Sequence, residues 1–212
     1  VRVLIPAFIE GGRLTIDDVH YIREGDKLLP VAETPFAADQ VFGYSNSNLK
    51  RWVEEKTEGS VRAEDVVSIS LDEIRVSGAN VVTDRLVTCA PQQICIINAC
   101  SHKDLEVAVL ALLNAERVGQ TFIYRTSATF VPLRAGLSAG KLFVPRAEET
   151  ASVNGGLVVV GSYVPKTTRQ LARLLNDSEA HGIEVHVPTV LHGDAEQFAS
   201  EIVGEIERML GD

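Results

Sequence analysis

The stretch Gln93-Ile94-Cys95-Ile96-Ile97-Asn98, followed by Ser101, by Lys103 to Arg117, by Gly119 and by Thr121-Phe122-Ile123-Tyr124-Arg125, decides the fold. The first six residues hold a short apolar run of the kind a parallel sheet buries on both faces. Ser101 offers a side-chain oxygen to the free N–H groups of a helix start. Between Lys103 and Arg117, Leu105, Val109, Leu112 and Leu113 fall on one helical face, and Gly119 suits the helix end. Thr121 to Arg125 is extended again. Strand, helix and strand in succession make a parallel crossover unit.

The alternation continues on both sides. Val1 to Ala7 is an apolar run interrupted by Pro6, a buried strand leading into the glycine loop Glu10 to Arg13. Val19 to Ile22 and Lys27 to Val31 read as short strands around Glu24-Gly25-Asp26, and Thr34 to Ser47 as irregular. Asn46 or Ser47 is expected to cap a helix from Asn48 to Lys56, with Leu49, Trp52 and Val53 on one face. Val66 to Leu71 reads as a strand, the region around Ala79 to Thr88 as a helix, and Ser127 to Leu137 as a helical piece. Arg146 to Gly155 has no apolar period and is the best linker. Beyond it come a strand at Leu157 to Val160, a turn at Gly161-Ser162, a helix at Lys166 to Leu175, a strand at Glu184 to Val187 and a closing helix at Ala195 to Leu210. The class is α/β: a layered, largely parallel sheet with helices on both faces, plus the start of a second α/β unit with too few strands to close a sheet of its own.

Twenty Lys and Arg against 29 Asp and Glu leave a net charge of −9 over 212 residues. That balance repels phosphate backbones, and no basic cluster with interleaved aromatics offsets it, so no nucleic-acid partner is expected. No apolar run approaches the roughly 20 residues of a membrane span, and no secretory pattern opens the chain. The composition favours a cytoplasmic protein acting on small molecules. Cys89, Cys95 and Cys100 lack paired metal-knuckle spacing, and Cys95 reads as a reduced, buried thiol. The five histidines show no metal spacing, so no metal site is expected from them, and Asp17-Asp18 and Glu54-Glu55 read as solvated charge. The opening Val1-Arg2-Val3 begins inside a strand, as a truncated chain would.

Four motifs carry chemistry. Gly136-Leu137-Ser138-Ala139-Gly140-Lys141 imitates a phosphate loop, but one residue is missing between the glycines and Leu142 stands where the magnesium hydroxyl belongs. It is a decoy. Val158-Val159-Val160-Gly161-Ser162 sends a strand into a helix start, where N–H groups, a hydroxyl and the helix dipole suit a phosphate; a tight turn with Ser162 as cap is the simpler account. Tyr124-Arg125-Thr126-Ser127 puts a guanidinium and two hydroxyls at a strand end, able to fork a carboxylate or to make a surface ion pair with a cap. Glu10-Gly11-Gly12-Arg13 is either a substrate-orienting loop or a connection bearing an exposed ion pair.

Taken in order, Ile5-Pro6-Ala7-Phe8, Gly12-Arg13-Leu14-Thr15, Val19-His20-Tyr21, Glu33-Thr34-Pro35-Phe36-Ala37, Val41-Phe42-Gly43, Tyr124 to Val131 and Gly161-Ser162-Tyr163-Val164-Pro165-Lys166-Thr167-Thr168 resemble the four-carbon acid sugar kinases, some of which carry the label of type III, Hrp-dependent effectors. The resemblance implies a sugar-acid domain over residues 1–147, lacking its N-terminal part, and the beginning of a nucleotide-binding domain over residues 156–212. It implies transfer of the ATP γ-phosphoryl group, with Mg2+, to a threonate- or erythronate-like acid. Glu10, Gly12, Arg13, Arg125, Thr126 and Ser127 would serve the acid, and Gly161 and Ser162 the nucleotide. No catalytic base is assigned, and a homodimer is left open. The family's Asp-Asp-x-Thr-Gly opening and its later Gly-Gly-Glu/Asp-Thr loop are not matched, and Asn98 stands where an Asp is usual. The chain is thus expected to be a central piece, inactive alone. The rival is a non-catalytic sugar-acid-binding or effector module.

Overall fold

Strand pairing organises the first part of the chain in the computed structural model, which describes residues 1–39, 41–137, 156–162 and 164–211. The parallel sheet takes β1 (Arg2–Ile5), β5 (Val67–Ile69), β6 (Ile94–Ile97) and β7 (Ile123–Thr126) in the order β5-β6-β1-β7. A separate antiparallel sheet holds β2 (Arg13–Ile16), β3 (Val19–Glu24) and β4 (Lys27–Pro30). The expected layered α/β class is what forms.

The period-two alternation of β1 distributes its side chains between two cores. Val3 and Ile5 join Cys95 and Ile97 of β6 against α2 (Gly78–Val87), α3 (His102–Arg117) and α4 (Phe130–Arg134). Leu4 and Ile96 face the other way, onto Leu49, Trp52 and Val53 of α1 (Leu49–Lys56). Helices therefore cover both faces. Leu105 and Leu112 of α3 are fully buried, each contributing about 1.5–3 kcal/mol by leaving water.

Ser101 caps α3, accepting from Asp104 N–H at 3.2 Å. The cap of α1 is Asn48 itself, whose Oδ1 accepts from Lys50 and Arg51 N–H at 3.1 and 3.3 Å. Asn46 is drawn instead to Glu55 and Ser47 to the Ala32 amide, at 2.6 and 2.8 Å. Strand β2 was not anticipated. Its hairpin turns through Asp17 and Asp18 at φ 50° and 63°, where Asn-Gly is the usual signal. Asp18 is not solvated charge. It accepts from Asn98 Nδ2 at 2.9 Å and from the Ser68 hydroxyl, its own N–H donates to Asn98 Oδ1 at 2.8 Å, and Lys50 lies at 3.5 Å. Asn98 gives and takes a proton in this pairing; a second carboxylate there would meet Asp18 with like charge. The piece after β7 shortens to α4, because Ser127 turns back to donate to the Ala7 carbonyl.

The chain divides into two compact units, Val1–Gly140 and Lys141–Asp212. The linker Arg146 to Gly155 and most of the phosphate-loop decoy lie outside the described residues. In the second unit the described residues contain α5 (Pro165–Asp177), α6 (Val187–His192) and α7 (Ala195–Gly211). The strands expected at Leu157 to Val160 and Glu184 to Val187 are not formed there. Leu157 to Val160 is exposed and has no ladder partner among the described residues, and a strand exists only where a neighbour completes its hydrogen bonds. At Val187 the chain enters α6, where Pro188 supplies the backbone angle of a first helical turn. No helix among the described residues is long and apolar enough to cross a membrane.

Candidate functional site

Parallel α/β sheets open their loops at the carboxyl ends of the strands. In the first unit the glycine loop after β1 is clamped there. Phe8 and Arg13 exchange backbone hydrogen bonds at 2.9 and 2.8 Å across the turn, and Gly12 N–H closes it on the Ile9 carbonyl at 3.0 Å. Gly12 takes φ 67°, a conformation open to glycine without cost. A Cβ on Gly11 would overlap the Phe8 ring.

The end of β7 is stitched to this loop although it lies some 120 residues away. Ile9 N–H donates to Thr129 Oγ1 at 3.0 Å, and the Thr129 hydroxyl donates to Glu10. Ser127 N–H reaches the Ile5 carbonyl at 3.2 Å, and its hydroxyl the Ala7 carbonyl. His102 Nε2 lies 2.9 Å from Glu10 Oε1. Hydrogen bonds from Thr129 and His102 hold the Glu10 carboxyl down at about 2. Glu10, Ser127 and Thr129 thus spend their polar groups on fixing the loop. Thr126 continues the β7 pairing, opposite Ile5.

Beside this clamp, on the α1 face of the sheet, lies a hollow of about 140 Å³ lined by Leu4, Pro6, His20, Tyr44, Asn46 and Trp52, among others. Two guanidiniums stack on aromatic rings in this unit, one of them on a ring that lines the hollow. Arg125 on β7 stacks over the Trp52 ring at 5.0 Å. Arg13 stacks over Phe36 at 5.0 Å, and its charge acts on both His20 and Tyr44. Neither makes an ion pair with a carboxylate among the described residues. A guanidinium held on an aromatic face keeps its N–H fork free for a planar anion. Burial, followed by the Arg13 charge, presses His20 down to about 4, so it is neutral at pH 7. Burial pushes the Tyr44 hydroxyl up.

The loop that holds Glu10 and Gly12 and the strand end that holds Thr126 and Ser127 are joined by these hydrogen bonds, whereas Arg13 lies on Phe36 and Arg125 on Trp52. His20, Tyr44, Asn46 and Trp52 were missed as site residues. Trp52 reads along the chain as part of the apolar face with Leu49 and Val53, and a lone buried His carries no spacing signal. In the second unit Gly161 and Ser162 are exposed ahead of α5, and a Cβ on Gly161 would meet nothing. Ser162 does not cap α5; the position before it is Val164, without a side-chain cap. No group of three or more His, Cys, Asp or Glu is placed to hold a metal ion among the described residues.

Residues 1–133 match the model of a sugar-binding N-terminal domain, and residues 157–212 match that of a nucleotide-binding C-terminal domain. No curated protein is significantly similar. Among solved structures, a Haemophilus influenzae protein of the DUF1537 family is similar with a TM-score of 0.49 and 18% identity, over 97% of this chain and 46% of its own. A Bordetella bronchiseptica domain of unknown function of the same family, solved with bound citrate as a domain-swapped dimer, is similar with a TM-score of 0.47 and 21% identity, over 64% of this chain and 29% of its own. The chain spans less than half the length of either structure. With its first 133 residues matched by the sugar-binding model and its last stretch by the nucleotide-binding one, the chain belongs to the family that joins these two domains, that of the four-carbon acid sugar kinases.

Proposed function

We propose that this chain serves the ATP-dependent phosphorylation of a small sugar acid of the threonate or erythronate type, in the cytoplasm, with residues 1–147 binding the acid and residues 156–212 contributing to the nucleotide site. The observation that supports the reading is the hollow at the end of β1, with Arg125 stacked on the Trp52 ring that lines it and Arg13 acting by its charge on His20 and Tyr44, neither arginine ion-paired among the described residues. Arginine forks bind a carboxylate bidentately, and the Trp52 face suits the C–H side of a short carbon chain.

Phosphoryl transfer depends on positioning and charge neutralisation more than on covalent help from the protein. Arg13 and Arg125 orient the acid through its carboxylate. Gly12 gives the loop its turn, and Glu10, Thr126 and Ser127 hold that loop against β7. Gly161 and Ser162 leave backbone N–H groups and a hydroxyl open ahead of α5, the donors a nucleotide phosphate takes. ATP, carried with Mg2+, supplies the phosphoryl group.

Calorimetry on the full chain tests this, with threonate, erythronate and ATP titrated separately and together. The expected result is binding of an acid and of ATP. ATP binding with no response to either acid overturns the assignment of the hollow. Acid binding without ATP favours a sugar-acid-binding module over a kinase. Light scattering on the same sample reads whether the chain forms a homodimer.

A further inference from the structure

Cys89 lies just past the end of α2, and Cys95 is the second residue of β6. The segment between them folds back on itself. Gln93 N–H donates to the Ala90 carbonyl at 3.1 Å, and the Gln93 side chain accepts from Ala90 N–H at 3.0 Å. That return brings both cysteines into the core between the sheet and α2 and α3, where Cys89 is 7% exposed and Cys95 is sealed. Both are free thiols. They share a hydrogen bond, which draws Cys89 down to about 7 and pushes Cys95 up. Each sulfur also has a backbone carbonyl nearby, that of Arg85 3.4 Å from Cys89 Sγ and that of Ile96 3.9 Å from Cys95 Sγ. A carbonyl binds a thiol through its proton, so it does not compete with a bond between the sulfurs once that proton is gone. Cys100, the third cysteine, is engaged elsewhere: Arg75 Nη2 lies 2.7 Å from its Sγ, and burial pushes its thiol up.

We propose that Cys89 and Cys95 are a hydroperoxide-responsive thiol pair, closing a reversible disulfide that ties the end of α2 to the inner strand β6. The proposal is independent of the sugar-acid reading. β6 pairs with β1 on one side and β5 on the other, so the bridge anchors a helix end to the middle of the sheet. Cys89 reacts first. It is the less buried of the two, it adjoins the exposed residues Ala90, Pro91 and Gln92, and the thiolate is the attacking form. Its sulfur attacks one peroxide oxygen, the O–O bond breaks, and the departing hydroxide takes up the thiol proton as water, leaving Cys89 oxidised to a sulfenic acid. The Cys95 sulfur then attacks the Cys89 sulfur. The S–S bond forms as the S–O bond breaks, and hydroxide leaves with the Cys95 proton as a second water. Two thiols and one hydrogen peroxide thus give one disulfide and two waters, and a dithiol reductant reverses the bridge by exchange.

The full chain, reduced and folded, is exposed to a small excess of hydrogen peroxide, which catalase then removes. Free thiols are blocked with iodoacetamide in urea, dithiothreitol opens any disulfide, and N-ethylmaleimide marks the thiols released. Mass spectrometry of the peptides assigns each mark. We expect two of the three thiols to escape the first reagent, with the maleimide on Cys89 and Cys95 and iodoacetamide on Cys100. Before reduction, the oxidised chain should be lighter by two hydrogens at monomer mass. Cys95→Ala removes the resolving thiol, so peroxide should leave Cys89 as a sulfenic acid that dimedone traps. Iodoacetamide on all three cysteines, a maleimide mark on Cys100, or a disulfide-linked pair of chains overturns the inference. So does Cys89 carried past the sulfenic acid in the unsubstituted chain without a bridge.

Discussion

Replacing Arg75 with methionine removes the half-exposed partner of an ion pair and leaves its buried carboxylate in place. Asp104, in the first turn of α3, is 3% exposed. Its carboxylate accepts from Arg75 Nε at 2.8 Å and Nη2 at 2.9 Å, and from Cys100 N–H at 2.9 Å. Burial raises the Asp104 pKa, but the Arg75 fork and the bonds from Cys100 and Ser101 outweigh it, bringing it from 3.8 to about 2. At about 1.4 kcal/mol per pH unit that is worth roughly 2 kcal/mol at neutral pH. The folded value lies below the unfolded one, so this stabilisation is complete above pH 3.8 and is lost as pH falls towards 2. An unpaired buried charge typically costs about 3–5 kcal/mol. Arg75 is half exposed and the Cys100 amide stays in place, so Arg75→Met is expected to cost about 2–3 kcal/mol. Urea unfolding at pH 7, followed by Trp52 fluorescence, reports on the unit that holds the pair. The midpoint should fall by about 1 M at an unchanged slope, and the deficit should shrink near pH 2. A loss below about 0.5 kcal/mol at pH 7 would refute the reasoning, since the fork would then be an ordinary surface pair.

The remaining expectations concern pH, the site and a cap. Because His20 is held at about 4 against an ordinary 6.5, the unfolded chain takes up a proton that the folded one refuses. The first unit should therefore lose up to about 3 kcal/mol as pH falls from 6.5 to 4, and His20→Gln should flatten that part of the pH–stability curve. Arg125→Gln is expected to weaken acid binding tenfold or more in calorimetry while leaving ATP affinity unchanged; equal acid affinity would remove Arg125 from the site. Asn48→Ala should lower the urea stability of the first unit by about 1 kcal/mol through loss of the α1 cap, an effect absent from Asn48→Asp, which keeps the accepting oxygen.

Local patterning was enough where one interaction dominates. The apolar runs at Val1 to Ala7 and Gln93 to Asn98, and the one-sided helix after Ser101, can bury their surface only as a helix-covered parallel sheet. The net negative charge reads as that of a protein of small molecules, for which an anion needs locally placed cations such as Arg13 in the glycine loop and Arg125 at a strand end. Short-range reading failed where a residue has several partners to choose from. Asn46, Ser47 and Asn48 are all competent caps, and only Glu55 and the Ala32 amide, by engaging the first two, leave the third for α1. Asp18 looks solvated until Asn98 and Ser68 are folded against it, whereas its neighbour Asp17 is exposed. Leu157 to Val160 has strand composition, but hydrogen bonds with a neighbouring strand make a strand, and composition cannot supply them.

The hollow itself belongs wholly to the tertiary level. Its wall joins the end of β1 to His20 on β3, Tyr44 and Asn46 in an irregular segment, and Trp52 on α1, with Arg125 of β7 laid over that ring. No periodicity links such positions. Sequence determined the class of the fold, because hydrophobic spacing is a property of neighbours along the chain. Folding decided which guanidiniums are laid on aromatic rings, because that is set by what each side chain meets across the sheet.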